Sequence, residues 1–173
     1  MSILVHNHPG VLFRVAGLFS RRGFNIESLA VGMTHDPKIS RITIIVEGDD
    51  HTVDQIVKQL GKLIQVITVK IIKSGSSVSR ELILVKVKAA PEMRSQIVQV
   101  VDIFRAKIID LSRETLTIEM TGEDDKTEAL LEMLTEYGIL EIARTGVIAL
   151  ERGESTIISD SKEQQEYDYS KKR

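Results

Sequence analysis

One short segment of the chain has the residue types and the spacing that suit a small carboxylate ligand. The segment Asn7-His8-Pro9-Gly10-Val11-Leu12 follows a short apolar strand and opens a helix. Free N–H groups of Gly10, Val11 and Leu12 would point outward at the positive end of that helix. Gly10 also lets a ligand approach the backbone. The pattern alone is equally compatible with a structural role, in which Asn7 caps the helix and Gly10 eases the turn.

The histidines do not form a recognisable metal site. His6 and His8 stand two positions apart, and no third ligand follows at a spacing typical of transition-metal sites. His35 and His51 fall in predicted turns. The chain has no cysteine, which excludes disulfides, thiolate metal sites and cysteine nucleophiles together. The sequence therefore predicts neither a metal site nor a catalytic residue.

Two acidic pairs have the composition of cation ligands or paired catalytic carboxylates, but their positions favour another role. Asp49 and Asp50 precede one predicted helix, and Asp124 and Asp125 precede another. Acidic residues at the start of a helix accept hydrogen bonds from free N–H groups and interact favourably with the helix dipole. Capping is therefore the better interpretation. Residues 73–77 contain a glycine but lack the order of a phosphate-binding loop.

Composition and charge argue against several classes of partner. The 173 residues carry a formal net charge of −2 and include 4% aromatic residues and no tryptophan, which does not suit nucleic-acid binding. No apolar run approaches the roughly 20 residues of a membrane span, and the amino end has no secretory pattern. We expect a soluble, cytoplasmic protein, or a plastid or mitochondrial one in a eukaryote, with no nucleic-acid or membrane partner.

The elements that position the first segment follow the order βαββαβ. Apolar residues at helical spacing predict two helices, and alternating or continuous apolar runs predict four strands. Those elements are a strand at 2–6, a helix at 9–22, strands at 24–33 and 39–48, a helix beginning at Asp49 and a strand at 66–72. Pro9 is expected in the first turn of its helix, and Gly23 is expected to end it. Residues 1–73 therefore form a predicted domain.

The same order recurs after a predicted linker at 74–79. The second set comprises strands at 80–88, 107–112, 115–121, 139–144 and 147–151, a helix at 91–104 and a helix that ends at Gly138. The fold class predicted is α+β, with two tandem ferredoxin-like βαββαβ sandwiches, the second at 80–152. Residues 153–173 are polar and charged, with Ile157 and Ile158 as their aliphatic residues, and predict a disordered tail. A partner-binding tail that uses Tyr167 and Tyr169 is the alternative.

Motifs distributed over residues 1 to about 152 point to one family. They are Asn-His-Pro-Gly-Val-Leu-Phe-Arg-Val at 7–15, Arg-Arg-Gly-Phe-Asn-Ile-Glu-Ser-Leu at 21–29, Ser-Arg-Ile-Thr at 40–43, Gln-Leu-Gly-Lys-Leu at 59–63, Arg-Glu-Leu at 80–82, Phe-Arg-Ala-Lys-Ile-Ile-Asp at 104–110 and Glu-Ile-Ala-Arg-Thr-Gly at 141–146. This set resembles the acetohydroxyacid synthase (acetolactate synthase) small subunit family, whose amino-terminal domain is an ACT domain.

The resemblance implies a regulatory subunit rather than an enzyme. Such a subunit activates a catalytic subunit and conveys feedback inhibition by a branched-chain amino acid, typically valine, in branched-chain amino-acid biosynthesis. It implies that this chain binds no cofactor, and that thiamine diphosphate, Mg²⁺ and FAD belong to the catalytic partner. It also implies a homodimer through the ACT domains, which occupy residues 1–73 here.

The resemblance further implies an effector site at the pairing of two ACT domains. Carried over by position, Asn7, Gly10 and Asn25 hold the effector, and Asn25 comes from the paired protomer. The neighbouring residues of the implied site are His8, Pro9, Val11, Leu12 and Ile26. Phe13 departs from the family pattern, in which a small polar residue is common, and a ring near the pairing surface is expected to alter effector binding.

Two other functions are compatible with parts of the sequence. The run Gly10-Val11-Leu12-Phe13-Arg14 resembles the phosphate loop of acylphosphatases, small hydrolases with this topology, which pair the loop arginine with an asparagine such as Asn25. That reading leaves the second sandwich unexplained. A free-standing ACT protein that senses an amino acid is the other alternative, although the chain shows no helix-turn-helix pattern or basic face for DNA.

Overall fold

The computed structural model describes residues 1–73 and 75–158, and they divide into two units. The first unit comprises residues 1–78 together with the chain from Ala149, and the second comprises Ser79–Ile148. Each unit pairs an antiparallel sheet with two helices. The α+β class and the two ferredoxin-like sandwiches predicted from the sequence are confirmed. None of the helices in the described residues is long and apolar enough to cross a membrane.

The first unit has the element order βαββαβ. Its elements are β1 Ser2–His6, α1 Val11–Arg22, β2 Ser28–Met33, β3 Ile39–Ile45, α2 Asp50–Leu60 and β4 Val66–Lys70. The strands lie in the order β2-β3-β1-β4, and each neighbouring pair is antiparallel. Both helices cover one face of this sheet, where Ile3, Ile42, Phe19 and Ile56 form part of one buried cluster. Alternation along β1 sends Ser2 and Leu4 to the opposite face.

The second unit repeats this plan. Its elements are β5 Ser77–Lys88, α3 Arg94–Phe104, β6 Lys107–Leu111, β7 Thr115–Gly122, α4 Asp124–Thr135 and β8 Ile139–Arg144. Strand β9 Ile148–Glu151 follows, and all of it except Ile148 is grouped with the first unit. The strand order is β6-β7-β5-β8, with β9 also paired to β5. Ile83, Val85 and Val87 of β5 pack with Ile97 of α3 and Leu130 of α4 in a second buried cluster.

Several boundaries differ from those expected, each for a local reason. Helix α1 starts at Val11, because Gly10 adopts a left-handed conformation with φ 83°, so Pro9 precedes the helix instead of occupying its first turn. Strand β2 starts at Ser28, because residues 24–27 form the connection between α1 and the strand. Strand β5 begins at Ser77, so part of the expected linker at 74–79 belongs to a strand.

The beginning of the expected tail also differs from the prediction. Of residues 153–158, Ile157 is 6% exposed, and it lines a cavity on the first sheet together with Ser2 and Leu4. Burial of an aliphatic side chain on a sheet face is favourable even when its neighbours in the sequence are polar. Residues 159–173, and with them Tyr167 and Tyr169, lie outside the described residues.

Candidate functional site

Asn7 follows strand β1 and lies beside the turn between β2 and β3. Pairing of β1 with β3 sets His6 opposite Ile39, and the Asn7 backbone N–H then donates to the Lys38 carbonyl oxygen at 2.7 Å. The Asn7 side-chain Nδ2 donates to the Pro37 carbonyl oxygen at 2.9 Å. The Asn7 amide therefore joins two loops, and no side chain caps the N-terminus of α1.

Gly10 forms the N-cap of α1 in a conformation that most residues avoid. Its φ of 83° lies in the left-handed region, and an added Cβ would meet no atom within 4 Å. The position therefore needs glycine for its backbone angle rather than for space within one chain. The first turn of α1 contains no acidic residue, so the positive end of the helix dipole is not compensated there.

The three amides expected to face a ligand are not equivalent. The Val11 N–H donates to the His8 carbonyl oxygen at 3.3 Å, a long bond that leaves it a weaker candidate than the neighbouring amides of Gly10 and Leu12. The Val11 side chain is 6% exposed and belongs to the core, whereas Leu12 is 42% exposed. The Leu12 side chain therefore lies outside the buried face of α1, although its spacing from Val15 and Phe19 would also fit that face.

The surface around the helix start is formed by exposed residues. His8, Pro9 and Gly10 are all exposed, and the rings of His6 and His8 stack with centroids 6.1 Å apart. Phe13 is 81% exposed, one turn further along α1. An exposed, partly apolar surface with backbone donors can bind a small carboxylate, but within one chain it does not bury the ligand.

Asn25 and Ile26 lie at the far end of α1 from Gly10. The helix has 12 residues, and a helix of that length spans about 18 Å. It ends at Gly23, with φ 72°, and the Phe24 N–H donates to the Phe19 carbonyl oxygen at 3.0 Å. Asn25 is exposed, and Ile26 is half-buried against the core. A single chain therefore does not bring Asn25 to the start of α1.

The acidic pairs have the structural surroundings of helix starts. Asp49 is the N-cap of α2, and its Oδ1 accepts from the Thr52 N–H at 2.8 Å. This hydrogen bond holds the pKa of Asp49 below its usual value. Asp124 and Asp125 lie in the first turn of α4, after an N-cap at Glu123 that makes no side-chain capping bond. Capping is therefore confirmed for Asp49, and the second pair acts through the helix dipole instead.

No group of three or more His, Cys, Asp or Glu side chains stands in metal-binding arrangement within residues 1–73 and 75–158. The Pro37 carbonyl is a contact of the candidate site that the sequence did not reveal. A signal for it was present, because the turn at His35-Asp36-Pro37 leads into β3, and a strand that pairs with β1 in this register brings that turn beside the residue after His6. The register of the sheet was needed to turn that signal into a contact.

Both units match models of one protein family. Residues 1–68 match the model described as the AHAS small subunit-like ACT domain. Residues 80–153 match the model described as the small subunit of acetolactate synthase. The two matches together cover most of the chain and meet near the division between the two units.

Individual proteins agree with the family models. The chain is 56% identical over 153 residues to a probable acetolactate synthase small subunit of Archaeoglobus fulgidus, covering 88% of this chain and 96% of that protein. It is 54% identical to the acetolactate synthase small subunit of Mycolicibacterium smegmatis, covering 88% and 90%. A crystal structure of the acetolactate synthase small subunit from Thermotoga maritima superposes with a TM-score of 0.82 at 48% identity, covering 89% of this chain and 96% of that one. The chain belongs to the family of acetolactate synthase small subunits, with an ACT domain at its amino end.

Proposed function

We propose that the chain is a non-catalytic regulatory subunit that binds the catalytic subunit of acetolactate synthase, raises its turnover and conveys feedback inhibition by a branched-chain amino acid. The family membership of both units is the observation that carries this proposal. Valine is the first effector to test. Thiamine diphosphate, Mg²⁺ and FAD are proposed to belong to the catalytic partner.

The effector site that we propose is built from two copies of the chain. Asn7 and Gly10, with His8, Pro9, Val11 and Leu12, supply the helix start in one protomer. Asn25 and Ile26 come from the other protomer. The uncapped start of α1 supports a carboxylate at that position, and the length of α1 supports the supply of Asn25 by a second chain.

Strand β2 is the proposed pairing edge. It lies at one edge of the first sheet, and its residues Val31 and Met33 are 48% and 69% exposed. An exposed edge strand is a template for pairing with a second chain. Pairing of two β2 strands would bury these side chains and bring the residues before Ser28 to the partner. Residues 1–73 are accordingly proposed as the domain for effector binding and dimerisation, and 80–152 as a second domain.

The proposal is tested by mixing the purified chain with the catalytic subunit of acetolactate synthase. Acetolactate formation should rise on addition of the chain and fall again on addition of valine, while the chain alone forms none. The catalytic subunit without the chain is the control, and its activity should respond less to valine. Absence of any change in rate on mixing, together with no co-elution of the two proteins, would contradict the proposal.

The alternative functions can be tested with the same preparation. Hydrolysis of an acyl phosphate by the chain alone would favour the acylphosphatase-like alternative, in which Arg14 and Asn25 act together. The two residues are separated by most of α1 in one chain, which does not favour it. Binding of valine without any effect on the catalytic subunit would favour a free-standing sensor.

A further inference from the structure

The first unit contains a cavity on the sheet face opposite α1 and α2. Its volume is about 460 Å³, which is within the usual range for small-molecule sites. Strands β1, β3 and β4 contribute its floor through Leu4, Arg41 and Lys70, and residues 150–158 contribute to its wall. None of the residues of the candidate site at the start of α1 lines it.

Two cations lie in this cavity, and their hydrogen bonding differs. Lys70 forms an ion pair with Glu151 and donates to the Thr156 carbonyl oxygen at 3.5 Å. Arg41 donates through Nε to Ser2 Oγ at 2.7 Å. Within the described part of the chain, this bond is the one that the Arg41 side chain makes, so its two Nη atoms remain available as donors.

The surroundings of Arg41 make an added acceptor favourable. Ser2 is fully buried and Arg41 is half-buried, and burial lowers the pKa of Arg41, an effect that the nearby charge of Glu151 opposes. A partly desolvated guanidinium with unfilled donors gains from an anionic acceptor more than an exposed one does. Its planar fork matches the two oxygens of a carboxylate.

Most of the surface that lines the cavity is apolar. The aliphatic side chains that line it are Leu4, Ile39, Ile72, Leu150, Ile157 and Ile158. A ligand that fits both parts has one carboxylate and a short hydrocarbon chain. Asp36 and Glu151 also line the cavity, and their negative charges disfavour a dianion such as a phosphate monoester.

We propose that this cavity is a ligand site for a small aliphatic monocarboxylate, with the carboxylate on the Nη donors of Arg41 and the hydrocarbon chain among Leu4, Ile72 and Ile157. The ligand would contact both the sheet and residues 150–158, and would stabilise their association. The site is independent of the proposed function, because it shares no residue with the start of α1.

The test uses the full chain labelled with ¹⁵N, titrated with pentanoate and, separately, with the neutral analogue pentanamide. Pentanoate should shift the amide resonances of β1, β3 and residues 150–158 and saturate, whereas pentanamide should bind at least about tenfold more weakly, because a hydrogen bond to a charged group is lost. Shifts confined to residues 7–12, no saturation by 50 mM pentanoate, or equal affinity for the two compounds would each overturn the proposal.

A pair of variants tests the role of Arg41 separately. Arg41→Gln should weaken pentanoate binding by about ten- to a hundredfold. Lys38→Gln removes an exposed positive charge from the neighbouring turn, outside the cavity lining, and should leave the affinity within about twofold. Equal losses in both variants would show a general charge effect and overturn the assignment to Arg41. If Arg41→Gln does not fold, the comparison of pentanoate with pentanamide on the wild-type chain decides.

Discussion

The first helix of each sandwich begins differently, although both follow the first strand of the same topology. Helix α1 begins after a left-handed Gly10 without a side-chain cap. Helix α3 begins at Arg94, whose side chain donates to the carbonyl oxygens of Ala89 at 3.2 Å and Ser112 at 3.0 Å, and also to that of Arg113. Neither helix has a side-chain cap, and the difference is that the start of α3 is tied to neighbouring loops by the Arg94 side chain, whereas α1 follows a left-handed glycine.

This difference shows how one topology supports two roles. A βαββαβ sandwich fixes where the helix start lies, but the residues of the connecting loop decide what that position can bind. In the second sandwich the Arg94 guanidinium donates hydrogen bonds to the carbonyl oxygens of the β6–β7 turn, so the loop has a structural role. In the first, the backbone donors at the start of α1 stay accessible, and an effector role is proposed for them.

The largest expected effect is on effector binding at the open helix start. Gly10→Asp places a negative charge where the effector carboxylate is proposed to bind, and valine affinity should fall by about two to four orders of magnitude. Isothermal titration calorimetry measures it. Gly10→Asn is the matched control, since it has nearly the same size and tolerates the left-handed conformation equally well. A similar loss in both variants would contradict a charge-based site.

Because Gly10 has a left-handed φ, both variants should also lower the free energy of unfolding. A side chain there costs about 1–2 kcal/mol, and an aspartate recovers about 0.3–1 kcal/mol from the helix dipole. Gly10→Asp should therefore be slightly destabilised but folded, and Gly10→Asn slightly more so. Chemical denaturation followed by circular dichroism checks both, and loss of the fold would show that Gly10 has a mainly structural role.

Residues 152–158 follow β9 and belong to the first unit, and Ile157 and Ile158 form a natural pair for testing their contact with its sheet. Ile157 is 6% exposed and Ile158 is 45% exposed. Ile157→Ala should lower the free energy of unfolding by about 2–3 kcal/mol, whereas Ile158→Ala should cost less than about 1 kcal/mol. Urea denaturation measures both. Equal and small effects would show that these residues do not dock on the first sheet.

A smaller effect is expected at the start of α3 in the second sandwich, where the Arg94 side chain contacts neighbouring loops. Arg94→Ala removes the bonds to the three loop carbonyl oxygens and should lower the free energy of unfolding by about 1–2 kcal/mol, with valine affinity unchanged. Arg94→Lys keeps the positive charge but not the planar guanidinium that donates to several oxygens at once, and should recover only part of the lost stability. A fall in valine affinity with Arg94→Ala would contradict the separation of roles between the two sandwiches.

The smallest effect concerns the second helix of each sandwich, since α2 has a capping carboxylate and α4 does not. The hydrogen bond from Thr52 lowers the pKa of Asp49 from its ordinary value of 3.8. The folded state therefore binds the Asp49 proton less readily than the unfolded state. Its stabilisation is present above pH 3.8 and is lost as the pH falls through the lower, folded pKa.

Asp49→Ala should thus destabilise the first unit near pH 7, and the difference from wild type should disappear in strong acid. Thermal unfolding at a series of pH values measures it. Asp49→Asn keeps a capping acceptor without a titrating charge, and should retain most of the stability at both extremes. A loss in Asp49→Ala that does not depend on pH would contradict the role of the carboxylate charge.

The sequence by itself determined the repeated βαββαβ order, because periodic apolar residues, glycines and capping residues act locally. Strand β1 and the end of α1 at Gly23 lie where the pattern predicted them. The family motifs likewise identified the acetolactate synthase small subunit family. The segment from Asn7 to Leu12 was recognised as a candidate ligand site because a helix start has free N–H groups in any fold.

Only the tertiary structure decided what those local signals become. The sheet register pairs the Asn7 side chain with the Pro37 carbonyl, 30 positions away, and the conformation of Gly10 shortens α1. The cavity with Arg41 depends on strands β1, β3 and β4 lying side by side and on residues 150–158 reaching them. Contacts between residues far apart in the chain follow from how the elements pack, and the periodicity within a single element does not predict them.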